Sequence, residues 1–331
     1  MENSLEFDLG WGNPYFLLDI LKNIYNRIDG IPDFGDMSYA PDQGISELIE
    51  MTKVVIKKTT GLEYKHILIT NGATGGINCC LRYFKKKYDI NTILTQKYGY
   101  PFYEEMISKA GFVRNKRSFN NIHQLFLTSS NISCIRLIDS PSNPQGNQTS
   151  NGNELDTIWD AVYHNRIYNA CPIIIPKHRV MVGSYSKLLG ITGARIGFVA
   201  TNNDLDFQNL IRENLMENAT ISVPGQKLVV NILKNVNLDD FMNFGKKSLD
   251  YNREEVSRVE YLFDNQPIQK VGMFYSANVD KKALQILNKC GIKYVALDED
   301  FIRLSLGQTN EITRNAVKTI LKQDKIRGKL K

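Results

Sequence analysis

Apolar residues recur at helical spacing from about Tyr15 to Ile28 and again from about Ser46 to Thr59, after a polar stretch with Pro and Gly that ends at Gly44. Beyond that point the period changes. His66-Ile-Leu-Ile-Thr70 predicts a short buried strand, Asn71-Gly-Ala-Thr-Gly-Gly76 a turn, and Ile77 to Lys87 a helix. Thr92 to Thr95 predicts another strand and Phe102 to Ala110 another helix. Strand, turn and helix in repetition is the pattern of a parallel sheet with crossover helices. Segments 133–139, 157–160, 179–184 and 194–200 extend that sheet. From about Asp204 to Phe263 the pattern is helical, then come short strands near 270–275, 292–296 and 301–305 and a final helix. The reading is an α/β chain with a large domain over residues 30–225, its mainly parallel sheet sandwiched by helices. A smaller α+β domain is expected from residues 1–29 and 226–331, with no polar linker to hold the two apart.

Composition narrows the class. With 331 residues, 42% hydrophobic and 23% charged, the chain can bury a sizeable core. The net charge of +6 comes from 41 basic and 35 acidic residues that are scattered, and the longest basic run, Lys85 to Lys87, reads as a solvated helix face, so no nucleic-acid partner is expected. Five cysteines form no CxxC pair, and the four histidines stand in no ligand spacing with them, so no metal is expected. The opening Met1 to Gly10 lacks a basic-then-apolar leader, and no segment approaches the roughly 18 continuous apolar residues of a spanning helix. A reduced, cytoplasmic protein with no membrane partner is expected, and sequons such as Asn131-Ile-Ser133 carry no weight there.

The chemistry concentrates in Gly183-Ser-Tyr-Ser-Lys-Leu-Leu-Gly-Ile-Thr-Gly-Ala-Arg-Ile-Gly197. A single lysine is ordinarily a surface charge. Here Lys187 follows a strand, where an amine can form a Schiff base with a carbonyl, and Ser184 and Arg195 add a hydroxyl donor and a two-pronged cation suited to a phosphate dianion. The pattern S-x-S-K-x-x-G-x-x-G-x-R-x-G resembles the lysine signature of the class I and II aminotransferases, a branch of the fold-type I pyridoxal-phosphate enzymes. It matches at every fixed position.

The resemblance implies further cofactor contacts in a set chain order. Gly72, Ala73 and Thr74 open a helix after a strand, where backbone amides can approach the phosphate. Tyr100, within Tyr98-Gly-Tyr-Pro-Phe-Tyr103, falls where the family stacks an aromatic ring on the pyridine; Tyr98 replaces the proline of many relatives. Ser140-Pro-Ser-Asn-Pro-Gln-Gly146 resembles the Asn-Pro-x-Gly element and assigns Asn143 to the ring oxygen. Asp160-Ala-Val-Tyr163 resembles the family's D-x-x-Y, whose carboxylate pairs with the ring nitrogen and whose tyrosine bonds the ring oxygen. Phe301-Ile-Arg-Leu-Ser-Leu-Gly307 resembles R-x-S-L-G and makes Arg303 the fork for the substrate carboxylate. Gly12, in Asp8 to Pro14, resembles the substrate-side loop. Tyr39, followed by Gly44 and Leu48, resembles the tyrosine that reaches the phosphate of the neighbouring subunit, which implies a homodimer.

Two other readings bear on function. His66 to Ile77 also looks like the start of a dinucleotide-binding unit, but the loop lies far into the chain, no ribose-binding acid ends a second strand, and Tyr83 with Lys87 is too close to the loop for a reductase pair. Within the family, transamination, β-elimination and decarboxylation share the same lysine, aspartate and arginine, because the cofactor carries the chemistry. Transamination between an L-amino acid and a 2-oxo acid is the expectation. The short gap between Asn143 and Asp160 resembles the alliinase and plant tryptophan aminotransferase branch and keeps a carbon–sulfur lyase as the alternative.

Overall fold

A computed structural model describes residues 7–10, 14–25, 38–117, 135–148, 157–170, 180–264 and 266–328. Gly12 lies outside the described residues.

Seven strands form the central sheet: β2 (His66–Asn71), β3 (Thr92–Gln96), β4 (Val113–Arg117), β5 (Ile135–Asp139), β6 (Thr157–Asp160), β7 (Val180–Ser184) and β8 (Ile196–Thr201), in the spatial order β2-β8-β7-β6-β5-β3-β4. Strand β8 alone runs against its neighbours; the remaining pairs are parallel. Both faces are covered, as parallel strands require. Ile67 and Ile69 of β2 join one apolar cluster while Leu68 joins the other, and Phe198 and Val199 of β8 divide in the same way. Helix α1 (Tyr15–Tyr25) and helix α2 (Ser46–Thr60) contribute to the first cluster. Helix α3 (Gly72–Lys87) fills the second with Ile77, Cys79, Cys80, Leu81 and Phe84.

The remaining chain builds a three-stranded antiparallel sheet, β11-β12-β9, from Val295–Ala296, Phe301–Ser305 and Phe274–Asn278. The two-residue strand Phe7–Asp8 pairs in parallel with Ile292–Lys293 and ties the front of the chain to its end.

Four expectations change. Residues 72–76 form the first turn of helix α3 instead of a separate loop. Strand β4, Val-Arg-Asn-Lys-Arg, was hidden because an edge strand with charged residues has little apolar pattern. The strand expected near 270–275 lies at Phe274–Asn278. The segment at 194–200 joins the sheet antiparallel, because the link from Ser184 to Ile196 is shorter than the dozen or so residues of a parallel crossover.

The strand directions place the chemistry. Strands β2, β5, β6 and β7 end at Asn71, Asp139, Asp160 and Ser184, at the carboxyl edge where open α/β sheets bind ligands. The antiparallel β8 starts at that same edge, with Gly197 opposite Ser184 and Ile196 opposite Asn71.

Candidate active site

Helix α3 begins where β8 begins, and the two approach so closely that side chains are excluded. Gly72 has φ +65°, and a Cβ there would lie 2.6 Å from Arg195 Nη2. A Cβ on Gly197 would lie 2.5 Å from the Gly72 carbonyl carbon and 2.7 Å from Ala73 N. Gly72 N donates to Arg195 O at 3.0 Å, which fixes the arginine against the helix start. Asn71 makes no side-chain cap, and the first turn carries no acidic residue. The N-terminal turn at Ala73 and Thr74 is thus a positive helix end facing a guanidinium. Ser184 caps the short turn Tyr185–Leu188, accepting from Ser186 N at 3.1 Å and donating to Ile196 O at 3.2 Å.

Lys187, partly buried in that turn, has its amine pKa lowered to about 8. Burial is the largest cause, followed by the positive charges of Arg195 and Arg303. Tyr168 donates its phenol to the Lys187 carbonyl at 2.6 Å. Three cationic groups close enough to act on one another call for anionic ligands.

At the end of β6, the strand beside β7, Asp160, 8% exposed, accepts from Tyr103 Oη at 2.7 Å and from Val162 N at 3.1 Å. Burial raises its pKa and these two donors oppose the rise. Asn143 Oδ1 accepts from Arg303 Nη1 at 3.0 Å, which leaves the amide's donor end for another partner. Arg303 Nη2 also donates to Gly10 O at 3.0 Å, and its guanidinium lies 4.3 Å from the Phe274 ring centre. Tyr163 packs edge-on against Phe274 and Tyr168. Tyr100 is partly buried and packs edge-on against Tyr103.

The structure therefore brings Gly72, Ala73 and Arg195 together at the start of α3 and joins Asn143 to Arg303, with Tyr163 near Arg303 and Asp160 and with Lys187 close enough to feel both arginines. Tyr39 stands outside this set, 85% exposed. Sequence reasoning missed Tyr103, Tyr168 and Asp139. Tyr103 lies at the end of the Tyr98–Tyr103 segment, inside the helix expected over Phe102 to Ala110, where nothing marked its phenol. Tyr168 and Asp139 carried no signal apart from the motifs beside them.

This arrangement is the fold-type I architecture of pyridoxal-phosphate enzymes. The chain belongs to the family described as aminotransferase class I and II, whose model matches residues 9–320. It is 23% identical over 231 residues to a protein of Methanocaldococcus jannaschii named as a probable aspartate aminotransferase, covering 63% of this chain and 60% of that one. Over 215 residues it is 28% identical to the aspartate aminotransferase of Pyrococcus horikoshii, covering 58% of this chain and 54% of that one. These matches span less than two thirds of either relative. The solved aromatic aminotransferase of Pyrococcus horikoshii superposes with a TM-score of 0.74 at 18% identity, over 98% of this chain and 96% of that one.

Family members depend on pyridoxal phosphate, and the residues here fit that group. The side-chain-free cradle at Gly72 and Gly197 beside Arg195 suits a phosphate, the buried Asp160 suits a ring cation, and the depressed Lys187 amine suits an aldehyde. Among the described residues no cluster of His, Cys, Asp and Glu could hold a metal ion, and no helix is long and apolar enough to cross a membrane.

Proposed function

We propose that this chain is a pyridoxal-phosphate-dependent aminotransferase that moves an amino group between an L-amino acid and a 2-oxo acid. The observation that carries the reading is the placement of Lys187 with Arg195 and Arg303 near enough to depress its amine, just after the strand that pairs with the one ending in the buried Asp160. When bound, the cofactor supplies an electron sink for a bond broken at the substrate α-carbon.

The chain's own residues divide the remaining work. Ala73 and Thr74 amides and Arg195 would hold the phosphate at the helix start, with the Ser184 hydroxyl turning from Ile196 O to join them, and Gly72 leaves room for it. Tyr100 would stack on the ring, and Asp160 would hold a proton on the ring nitrogen. Asn143 and Tyr163 bond the ring oxygen, which the free amide end of Asn143 allows. Lys187 Nζ would hold the cofactor's aldehyde and, when free, would serve as the base and acid for the substrate's α-proton; an amine near pKa 8 is suited to both. Arg303, already in contact with Asn143, would grip the α-carboxylate. The exposed Tyr39 fits a homodimer in which it completes the neighbouring site. The same reading places the protein in the cytoplasm and divides it into a cofactor domain at 30–225 and a small domain at 1–29 with 226–331.

The relatives named above are aminotransferases, and no observation favours the carbon–sulfur lyase. The test is incubation of the yellow, cofactor-loaded protein with an amino-acid panel and 2-oxo acids. Amino exchange that needs the acceptor supports the reading. Release of pyruvate and ammonia without an acceptor, or a protein that stays colourless after reconstitution, overturns it.

A further inference from the structure

We propose that Asp139 is a positioning residue that carries a proton beside the ionised Asp160, and that this neutral carboxyl holds Asn143, and through it Arg303, in place. The ligand-facing half rests on the functional reading above; the proton does not.

Asp139 and Asp160 are the paired last residues of neighbouring parallel strands, so their side chains project from the same face of the sheet. Asp139 is 3% exposed. Two hydrogen bonds to the Gln96 side chain pin its main chain: Gln96 Nε2 donates to Asp139 O at 2.7 Å, and Asp139 N donates to Gln96 Oε1 at 3.2 Å. Its Oδ2 accepts from Asn143 N at 2.8 Å, whereas Oδ1 is buried with no hydrogen-bond partner among the described residues.

Two carboxylates in one buried pocket cannot both ionise cheaply. The groups facing them are Tyr103 from helix α4 (Tyr103–Lys109), Tyr163 after β6, and Arg114 of β4. Arg114 is the positive one, and it is engaged with Thr95 Oγ1, Gln96 O and Glu104. Asp160 is served by a phenol and a main-chain N–H, and Asp139 by the Asn143 N–H alone in addition to its own main chain. The proton therefore settles on Asp139, where it neutralises the oxygen that lacks a donor. Burial pushes this carboxyl up to about 8, with the negative charge of Asp160 adding to the rise.

From there the contacts lead outward. Asp139 fixes the Asn143 backbone, and Asn143 Oδ1 fixes Arg303. One neutral acid thus links the strand that carries the ring-nitrogen partner to the arginine that faces the substrate. No motif marks it, since an acid closing an apolar strand looks like an ordinary turn residue.

Three measurements test this. In the apo-protein, a raised folded-state pKa means that stability is lost as pH rises from about 4 to about 8, so Asp139→Asn should gain thermal stability over wild type progressively across that range and level off above it. Infrared difference spectra at pH 6 should show a protonated-carboxyl C=O band in wild type that Asp139→Asn removes. In the loaded enzyme, Asp139→Asn, which keeps an acceptor for Asn143 N, should leave KM within about twofold, whereas Asp139→Ser should raise KM about tenfold at comparable kcat. Parallel stability curves, or no band lost, would overturn the proton assignment; equal KM changes in both variants would overturn the positioning role. Because the first two readouts use apo-protein, failure of the aminotransferase reading leaves them intact, and the two failures are distinguishable.

Discussion

Tyr168 donates its phenol to the main-chain carbonyl of Lys187 across 2.6 Å. The residue whose amine lies near Arg195 and Arg303 is thereby tied through its backbone to the segment that follows Asp160. Its charge is set by burial and by two arginines, with a pKa near 8. Capture of pyridoxal phosphate by the apo-protein should accordingly quicken as pH rises from 6.5 to 9, with a midpoint near 8, because a depressed amine is neutral above that value. Borohydride trapping followed by mass spectrometry checks it; Lys187→Ala should show no adduct. A capture rate that is flat across that range would mean the amine is not desolvated.

Two glycines of the cradle separate function from folding. In Gly72→Ala the new methyl meets the far end of the Arg195 side chain, not main chain, so the backbone strain of about 1–2 kcal/mol is the main cost to stability, while cofactor affinity drops at least tenfold, about 1.4 kcal/mol. In Gly197→Ala the methyl meets the main chain of Gly72 and Ala73. The apo-protein of the second variant should melt lower than that of the first, and calorimetry of both decides it.

Tyr103→Phe removes a donor to Asp160 while keeping the buried ring. A hydrogen bond to a charged group contributes about 1.5–3 kcal/mol, and losing it lets the Asp160 pKa climb further. The acid limb of the kcat profile should move to higher pH, with kcat falling more than KM rises. An unchanged acid limb would show that the phenol does not tune this carboxylate.

Arg303→Lys keeps the charge and loses the fork. With two arms, the arginine reaches Asn143 and Gly10 at once, which a single ammonium cannot do. KM for the amino acid should rise tenfold or more, about 1.4 kcal/mol, with the absorbance of the bound cofactor unchanged. Steady-state kinetics beside a spectrum separates this from general damage.

Much of this site was legible in the sequence because its residues stand at strand ends, where apolar runs break into glycines and polar groups. Lys187, Arg195 and Asp160 each follow such a break. Asp139 follows one too, yet its meaning depends on the pairing of β5 with β6, and strand partners are not written in either strand. Tyr103 was legible as a buried position and not as a donor, since apolar periodicity is blind to the phenol. The direction of β8 was hidden for a related reason: a buried strand has the same apolar run whichever way it points.

That direction has a geometric consequence. Since β7 and β8 run opposite ways, the chain from Lys187 to Arg195 is a measured detour that leaves one strand end and returns to the neighbouring one. Adding or deleting one residue there either strains the turn or slips β8 by one position, and a one-residue slip turns every side chain to the opposite face. Gly197 would lose its seat against Gly72, and Arg195 would no longer meet the helix start. The spacing between lysine and arginine thus works as a ruler, cut to the width of the gap between two adjacent strands.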